Sequence, residues 1–415
     1  MSKTLKPTYR SLANVPVFRV IEEQNVRDVT AGYRRGVITL REEVAEESGS
    51  SEAYPCYLPS HRALVHICVL EQDIIRVIVL PKGDATEKCK LVNSWSIAPG
   101  ITDVDLEGRD RLDFSGFTCP EFLFDDISSD KSNKMVLITT LKCKLFVDLI
   151  GFKCQWFQPD FNVSGEWINS ARDRLTHAYD FSYWDLEKPK HFLMRSDTEM
   201  FFGLGETSGP MDKNGSLVRL SCGDAMGYDA EFSDPLYKHI PFYITYSTAT
   251  KMAFGLFYDN MSDCEFDFGK LRSNYHGTFR SFGMCDVIII INTLFFPLIF
   301  CAVLVAQSGV LDYYFIAGPG IKSVSERFTW LTGRPIFPPR FSLGYSGSTM
   351  SYTDAPDAQQ QMNRFVDDCN KYAIPCRSFH LSSGYTSIGT CRYVFNWFVI
   401  LFIKIEVSII YLFCV

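Results

Sequence analysis

The sequence predicts a β-sandwich followed by the opening of a parallel α/β unit. Three observations carry that prediction. From residue 61 to about 325, short runs of β-branched and aromatic residues are separated by turn residues. Helical periods are scarce over the same stretch. After Gly333 the pattern becomes strand, helix, strand, the unit from which parallel sheets are built.

Residues 1–60 are polar and mixed and form an N-terminal extension, with an acidic run over 42–52. The runs ALVHICVL and IIRVIVLP then flank Glu71-Gln-Asp73, a hairpin signal. Further strands are predicted at 135–140, 143–149, 191–194, 217–221, 242–246, 253–258 and 313–316. Pro99-Gly100, Lys213-Asn-Gly215 and Asp259-Asn260 supply turns between them. A strand is expected at 341–345. Asp354 then reads as a helix N-cap, with Pro356 in the first turn. Met362, Phe365, Val366, Cys369, Tyr372 and Ala373 fall at helical spacing and predict one buried face. Ile374-Pro375 ends the helix, and 377–381 is the next strand.

Composition narrows the function. The chain of 415 residues is 47% hydrophobic and 21% charged, so it can build a sizeable core. Its formal charge of −7, with no Lys/Arg cluster, argues against a nucleic-acid partner. The 14 cysteines form no CxxC pair and no Cys/His set with zinc spacing, so no metal and no cofactor are expected. Met1-Ser-Lys-Thr lacks the apolar core of a secretory signal, which points to a cytoplasmic protein with free thiols. The segment 287–306 is uncharged and long enough to span a bilayer. The tail 398–415 is also apolar but carries Lys404 and Glu406, each costing roughly 2.5–3.5 kcal/mol near a membrane centre.

Four stretches, in order and at their spacing, resemble glycoside hydrolase family 31, the α-glucosidase and α-xylosidase family. They are Phe201-Phe-Gly-Leu-Gly-Glu206; Asp224-Ala-Met-Gly-Tyr-Asp229 running into Asp234-Pro-Leu-Tyr-Lys-His-Ile-Pro-Phe-Tyr243; Leu331-Thr-Gly-Arg-Pro335 with Leu343-Gly-Tyr345; and Ile374-Pro375 with Phe379-His-Leu-Ser-Ser-Gly-Tyr385. The resemblance implies a galactose-mutarotase-like β-sandwich over 61–325, broken by an apolar insertion at 285–307. It implies the first βαβ unit of an incomplete (β/α)8 TIM barrel over 326–397, and an aberrant tail at 398–415. Both apolar segments read as translated intron sequence, with a membrane anchor at 287–306 as the alternative.

The implied activity is retaining hydrolysis of α-linked oligosaccharides or glycosides by two carboxylates about 5–5.5 Å apart. In the family both aspartates stand on later barrel strands, from the fourth onward. About 75 residues follow Arg340, against about 250 for a whole barrel. The catalytic pair is therefore expected to be absent from this chain, which reads as an α-glycosidase truncated before its catalytic aspartates; a non-catalytic carbohydrate-binding sandwich or a membrane-anchored protein is the alternative.

For substrate binding, the resemblance assigns Asp224 to sugar hydroxyls and Met226 to the border of the leaving-group site. His380 and Ser382 fall where the family has Trp or His and then an aspartate, so Ser382 departs from the usual pattern. Tyr345, expected at the end of the first barrel strand, is a further pocket candidate. Phe201 to Glu206 reads as structural, with glycines for turns and Glu206 in a buried hydrogen bond.

Overall fold

The computed structural model describes residues 17–28, 33–43, 64–80, 93–102, 107–130, 133–161, 163–175, 178–180, 190–221, 223–271, 275–282, 311–348, 352 and 355–380. The apolar segments 285–307 and 398–415, together with Asp354 and Ser382, lie outside these residues. Two compact units divide the chain, 1–333 and 334–415.

The strands of the first unit, in chain order, are β1 (Val17–Asp28), β2 (Tyr33–Glu43), β3 (Leu64–Glu71), β4 (Ile74–Leu80), β5 (Leu123–Asp126), β6 (Met135–Thr139), β7 (Lys144–Asp148), β8 (Lys153–Pro159), β9 (Trp167–Arg172), β10 (Tyr179–Asp180), β11 (Lys190–Met194), β12 (Glu199–Gly203), β13 (Leu217–Leu220), β14 (Phe242–Ser247), β15 (Ala253–Tyr258), β16 (Asp263–Asp267), β17 (Tyr275–Phe282) and β18 (Leu311–Ala317). Helix α1 (Ile321–Thr332) closes the unit.

One antiparallel sheet of eight strands runs β1-β2-β3-β4-β18-β15-β14-β12. It includes the hairpin β1–β2, drawn from the polar N-terminal stretch and paired onto β3. Two five-stranded sheets, β5-β6-β7-β8-β9 and β10-β11-β17-β16-β13, form the opposing layer. The main core lies between the layers. Val65, Val77, Leu256 and Phe315 of the large sheet meet Val136, Leu145, Trp156 and Phe266 of the smaller ones, all buried. The Trp156 ring stacks on Phe315 at 4.3 Å between centroids.

The back of the large sheet is also covered. Cys68, Ile74, Phe257, Tyr314 and Ile316 pack there against α1 and the 93–119 segment. The central strands therefore have two buried faces, and β18 is buried at all seven positions. That is why their sequences run apolar without alternation. β6, β7 and β8, with one face open, alternate buried and half-buried residues instead. Helix α1 shows the periodic set Val324, Phe328 and Leu331. Phe328 stacks on Phe242 of β14, and Ser323 Oγ accepts from the Gly320 N–H to fix the helix start.

The second unit contains a 3₁₀ turn at Arg340–Leu343, β19 (Tyr345–Ser348), α2 (Ala358–Lys371) and β20 (Cys376–His380). β19 and β20 pair in parallel, completing a βαβ unit. Three details differ from the sequence expectation. Ser342 N–H and its hydroxyl both bond to the Pro339 carbonyl, which winds 340–343 into a turn, so Tyr345 begins the strand instead of ending it. The helix starts at Ala358, because a residue before proline avoids helical angles and Ala355 precedes Pro356. Asp357 takes the N-cap position, and its carboxylate accepts from Gln361 Nε2 and Arg364 Nη2, each at 2.8 Å. The predicted buried face holds at Met362, Phe365, Val366 and Cys369. Tyr372 and Ala373 lie past the helix end and are exposed.

Candidate functional site

The loop joining β13 to β14 carries Asp224 and Met226. It is built by short side-chain bonds to its own backbone. Asp229 Oδ1 accepts from the Glu231 and Phe232 N–H groups at 2.8 and 3.1 Å, and Ser233 Oγ caps the Asp229 N–H at 2.7 Å. Asp234 Oδ2 anchors the far side on the Arg219 N–H at 2.7 Å. His239 Nε2 bonds the Asn260 carbonyl oxygen at 2.9 Å and ties the loop end to the β15–β16 turn.

On this frame the Tyr237 hydroxyl lies near Asp224, Tyr228 and Glu206. Desolvation and then the neighbouring Asp224 carboxylate hold the Tyr237 hydroxyl above its usual pKa, so it keeps its proton at neutral pH. Met226 stands 83% exposed on the same loop, and Tyr228, Phe232 and Tyr237 present ring surface to solvent. An ionised carboxylate accepts hydroxyl hydrogen bonds, and aromatic rings cover the apolar faces of sugar rings. The cluster therefore has the chemistry of a polyol site.

Glu206 is exposed, against the expectation of a buried hydrogen bond. Gly203 and Gly205 both have positive φ, 125° and 66°, and turn the chain outward after β12. Glu206, Tyr228 and Tyr237 were missed as site residues by sequence reasoning, although all three lie within the quoted motifs.

A cavity of about 290 Å³ opens near the loop end, walled by His239, Ile240, Pro241, Phe257, Asn260 and Phe328 among others. None of the five expected site residues lines it. The first unit also buries two polar networks. Asp312 receives Arg76 and Arg111, and Arg111 reaches Asp259 at 2.8 Å. His191 lies between Asp173 at 2.9 Å and the Tyr258 hydroxyl at 3.0 Å. Asp173, His191 and Asp312 are at most 1% exposed, so both networks act inside the fold, not on a ligand.

Tyr345 and His380 lie in the second unit, both exposed, at opposite ends of the β19–β20 pair. Phe379 turns toward α2, meeting Phe365 edge-on at 5.1 Å. Strand alternation puts Ser378 and His380 on the other face, where the Ser378 hydroxyl also meets Ser346. The five expected residues thus divide. Asp224 and Met226 share one loop, Tyr345 and His380 share one strand pair, and Ser382 lies outside the described residues. Among the described residues, no group of three or more His, Cys, Asp or Glu could hold a metal ion.

Residues 64–267 match the profile of the glycosyl hydrolase 31 N-terminal galactose mutarotase-like domain. Alpha-glucosidase 2 of Bacillus thermoamyloliquefaciens is 28% identical over 194 residues, 47% of this chain and 21% of that protein. Alpha-xylosidase XylQ of Lactiplantibacillus pentosus is 28% identical over 229 residues, 54% of this chain and 24% of that protein. The matched stretch thus spans under a quarter of these relatives. Among solved structures, a family 31 dextranase of Flavobacterium johnsoniae complexed with glucose superposes with a TM-score of 0.57 at 20% identity, covering 85% of this chain and 34% of the dextranase. Glucosidase II alpha subunit, Tris-bound, gives 0.56 at 14% identity, covering 90% of this chain and 40% of its own. At these identities the structural likeness is one of fold.

Proposed function

The chain carries, over residues 64–267, the N-terminal galactose mutarotase-like domain of glycoside hydrolase family 31, and from that premise we propose that it is the opening portion of a retaining α-glycosidase. The sandwich loop supplies part of the sugar site, and the βαβ unit is the start of a (β/α)8 barrel. The single observation that carries the reading is the exposed loop on which Asp224 stands with Met226 and the Tyr228, Phe232 and Tyr237 rings.

In this reading Asp224 accepts sugar hydroxyls, with the Tyr237 hydroxyl beside it. Met226 borders the leaving group. In the second unit His380 ends β20 and Ser382 follows it in sequence, at the strand end that forms the active face of a barrel, whereas Tyr345 starts β19 at the other end and is not part of that face. The two carboxylates that attack the anomeric carbon and protonate the leaving oxygen belong to later strands, outside these 415 residues. The chain as written binds an α-linked glycoside without hydrolysing it. A reducing compartment such as the cytoplasm suits the seven free cysteines among the described residues. No helix among the described residues is long and apolar enough to cross a membrane.

Saturation-transfer NMR with methyl α-glucoside and methyl α-xyloside tests the binding step. The chain is expected to transfer magnetisation to at least one of them. Asp224→Ala should abolish the transfer and Tyr237→Phe should weaken it. No transfer from the folded wild type, or transfer unchanged in D224A, would remove Asp224 from the sugar site.

A further inference from the structure

The outer face of the sheet β5-β6-β7-β8-β9 carries a diagonal row of large apolar side chains. Val136, Leu145 and Trp156 fill the core from its inner face. Strand alternation turns their sequence neighbours Met135, Phe146 and Phe157 outward, and Trp167 of β9 shares that face. Met135 pairs with Asp148 and Phe146 with Gln155, while Phe157 pairs with Asn169 and Pro159 with Trp167. Each step from Met135 to Phe146, Phe157 and Trp167 therefore crosses one strand, about 4.8 Å, and advances two residues, about 6.7 Å. Phe146 meets Phe157 edge-on with centroids 5.2 Å apart, and Lys144 Nζ steadies the Trp167 ring from 4.4 Å. All four side chains of the row are half-buried. Helix α1 packs on β14, β15 and β18 and leaves this face open. Polar groups flank the row. Gln155 and the exposed Asn169 present amides, each with donors and an acceptor. The charges beside them are matched, with Lys153 bonded to Asp148 at 2.7 Å and Lys144 held over Trp167. Rings interleaved with amides, among charges already paired, suit an uncharged polymer rich in hydroxyls.

We propose that this face is a second carbohydrate-binding surface, separate from the Asp224 loop, and that its ligand is an extended stretch of α-linked glucan. Successive sugars lie along the diagonal. Their apolar C–H faces rest on Phe146, Phe157 and Trp167, and their hydroxyls bond to Gln155 and Asn169. The sheet fixes the spacing of these contacts, so a chain that spans the row gains from all of them together, whereas a single sugar meets one ring. The α linkage rests on the α-glycosidase reading above; the surface itself does not. Its role is to hold a polymer whose end is bound elsewhere.

Isothermal titration of maltoheptaose into the full chain carrying Asp224→Ala tests this, because that substitution disables the loop and leaves the sheet face intact. Binding is expected, with a dissociation constant that does not change from low to high salt, since the ligand is uncharged. In the same background Trp167→Ala should weaken binding about tenfold. Asn169→Ala, at an exposed side chain, should weaken it about threefold or more with the urea midpoint of unfolding unchanged. Methyl α-glucoside, too short to span two rings, reports on the Asp224 loop, so failure at one site is read apart from failure at the other. The proposal is overturned if maltoheptaose does not bind the Asp224→Ala chain, or binds it equally after both further substitutions. Self-association that Trp167→Ala abolishes, without maltoheptaose binding, also overturns it and assigns the face to a second copy of the chain.

Discussion

Asp312 is fully buried at the second position of β18, and its charge survives there only because of its partners. Burial alone would raise its carboxyl, but Arg76 and Arg111 outweigh that and hold it below the usual range. Replacing one member of a buried ion network strands the others without water. We therefore expect Asp312→Ala to lower unfolding stability by about 3–5 kcal/mol, read from urea denaturation. A loss under 1 kcal/mol would mean that the network is better solvated than its geometry indicates.

Glu199 has the opposite sign. Desolvation at the head of β12 raises its carboxyl to about 7, against the Ser196 N–H and Arg195, which favour the charge. A carboxyl raised on folding contributes stability that is complete below its unfolded pKa of about 4.3 and is lost as pH rises through about 7. The urea midpoint should fall between about pH 5 and about pH 8, and Glu199→Gln should flatten that fall. Parallel curves for the two proteins would contradict the assignment. The site itself was half legible at this scale. Asp224 stood out because a motif surrounds it, whereas Tyr237 comes near it across thirteen residues of irregular loop, which no periodicity encodes.

Among the elements, the central strands were readable because burial on both faces forces continuous β-branched runs. β1 and β2 were not, since their residues are mixed and polar and what makes them strands is pairing onto β3. Helix α1 was missed although Val324, Phe328 and Leu331 are periodic, because it is short and lacks an acidic or hydroxyl N-cap. Its docking depends on Gly255 of β15. A Cβ there would lie 2.6 Å from Val324 Cγ1 and 2.8 Å from the Phe242 ring, so the helix packs directly on strand backbone. Gly255→Ala should cost about 1–3 kcal/mol by overpacking and speed amide exchange in α1 before the rest of the sandwich. Exchange rates in α1 equal to wild type would show that the helix has room to shift.

At the scale of the molecule, two kinds of architecture stand in one chain. The first unit is a closed sandwich with a double core, and its antiparallel strands pair among themselves. The second is a βαβ unit that leaves Ile336, Phe337, Leu343 and Tyr372 exposed. A parallel pair with its helix is a repeat unit of larger sheets, and exposed apolar side chains of this size mark surfaces built to be covered. That contrast, with the match of residues 64–267 to a glycosyl hydrolase 31 N-terminal domain, is what motivates the proposal that this chain binds sugar and that bond cleavage needs further residues.

Hydrolysis of 4-nitrophenyl α-glucoside and α-xyloside tests that division most directly. The 415-residue chain is compared with the protein translated from the full mature transcript. The chain is expected to release no nitrophenol above buffer. The protein translated from the full transcript is expected to turn over, with kcat/KM lowered about tenfold or more by Asp224→Ala. Turnover by the 415-residue chain itself would place a catalytic pair within it and contradict the account.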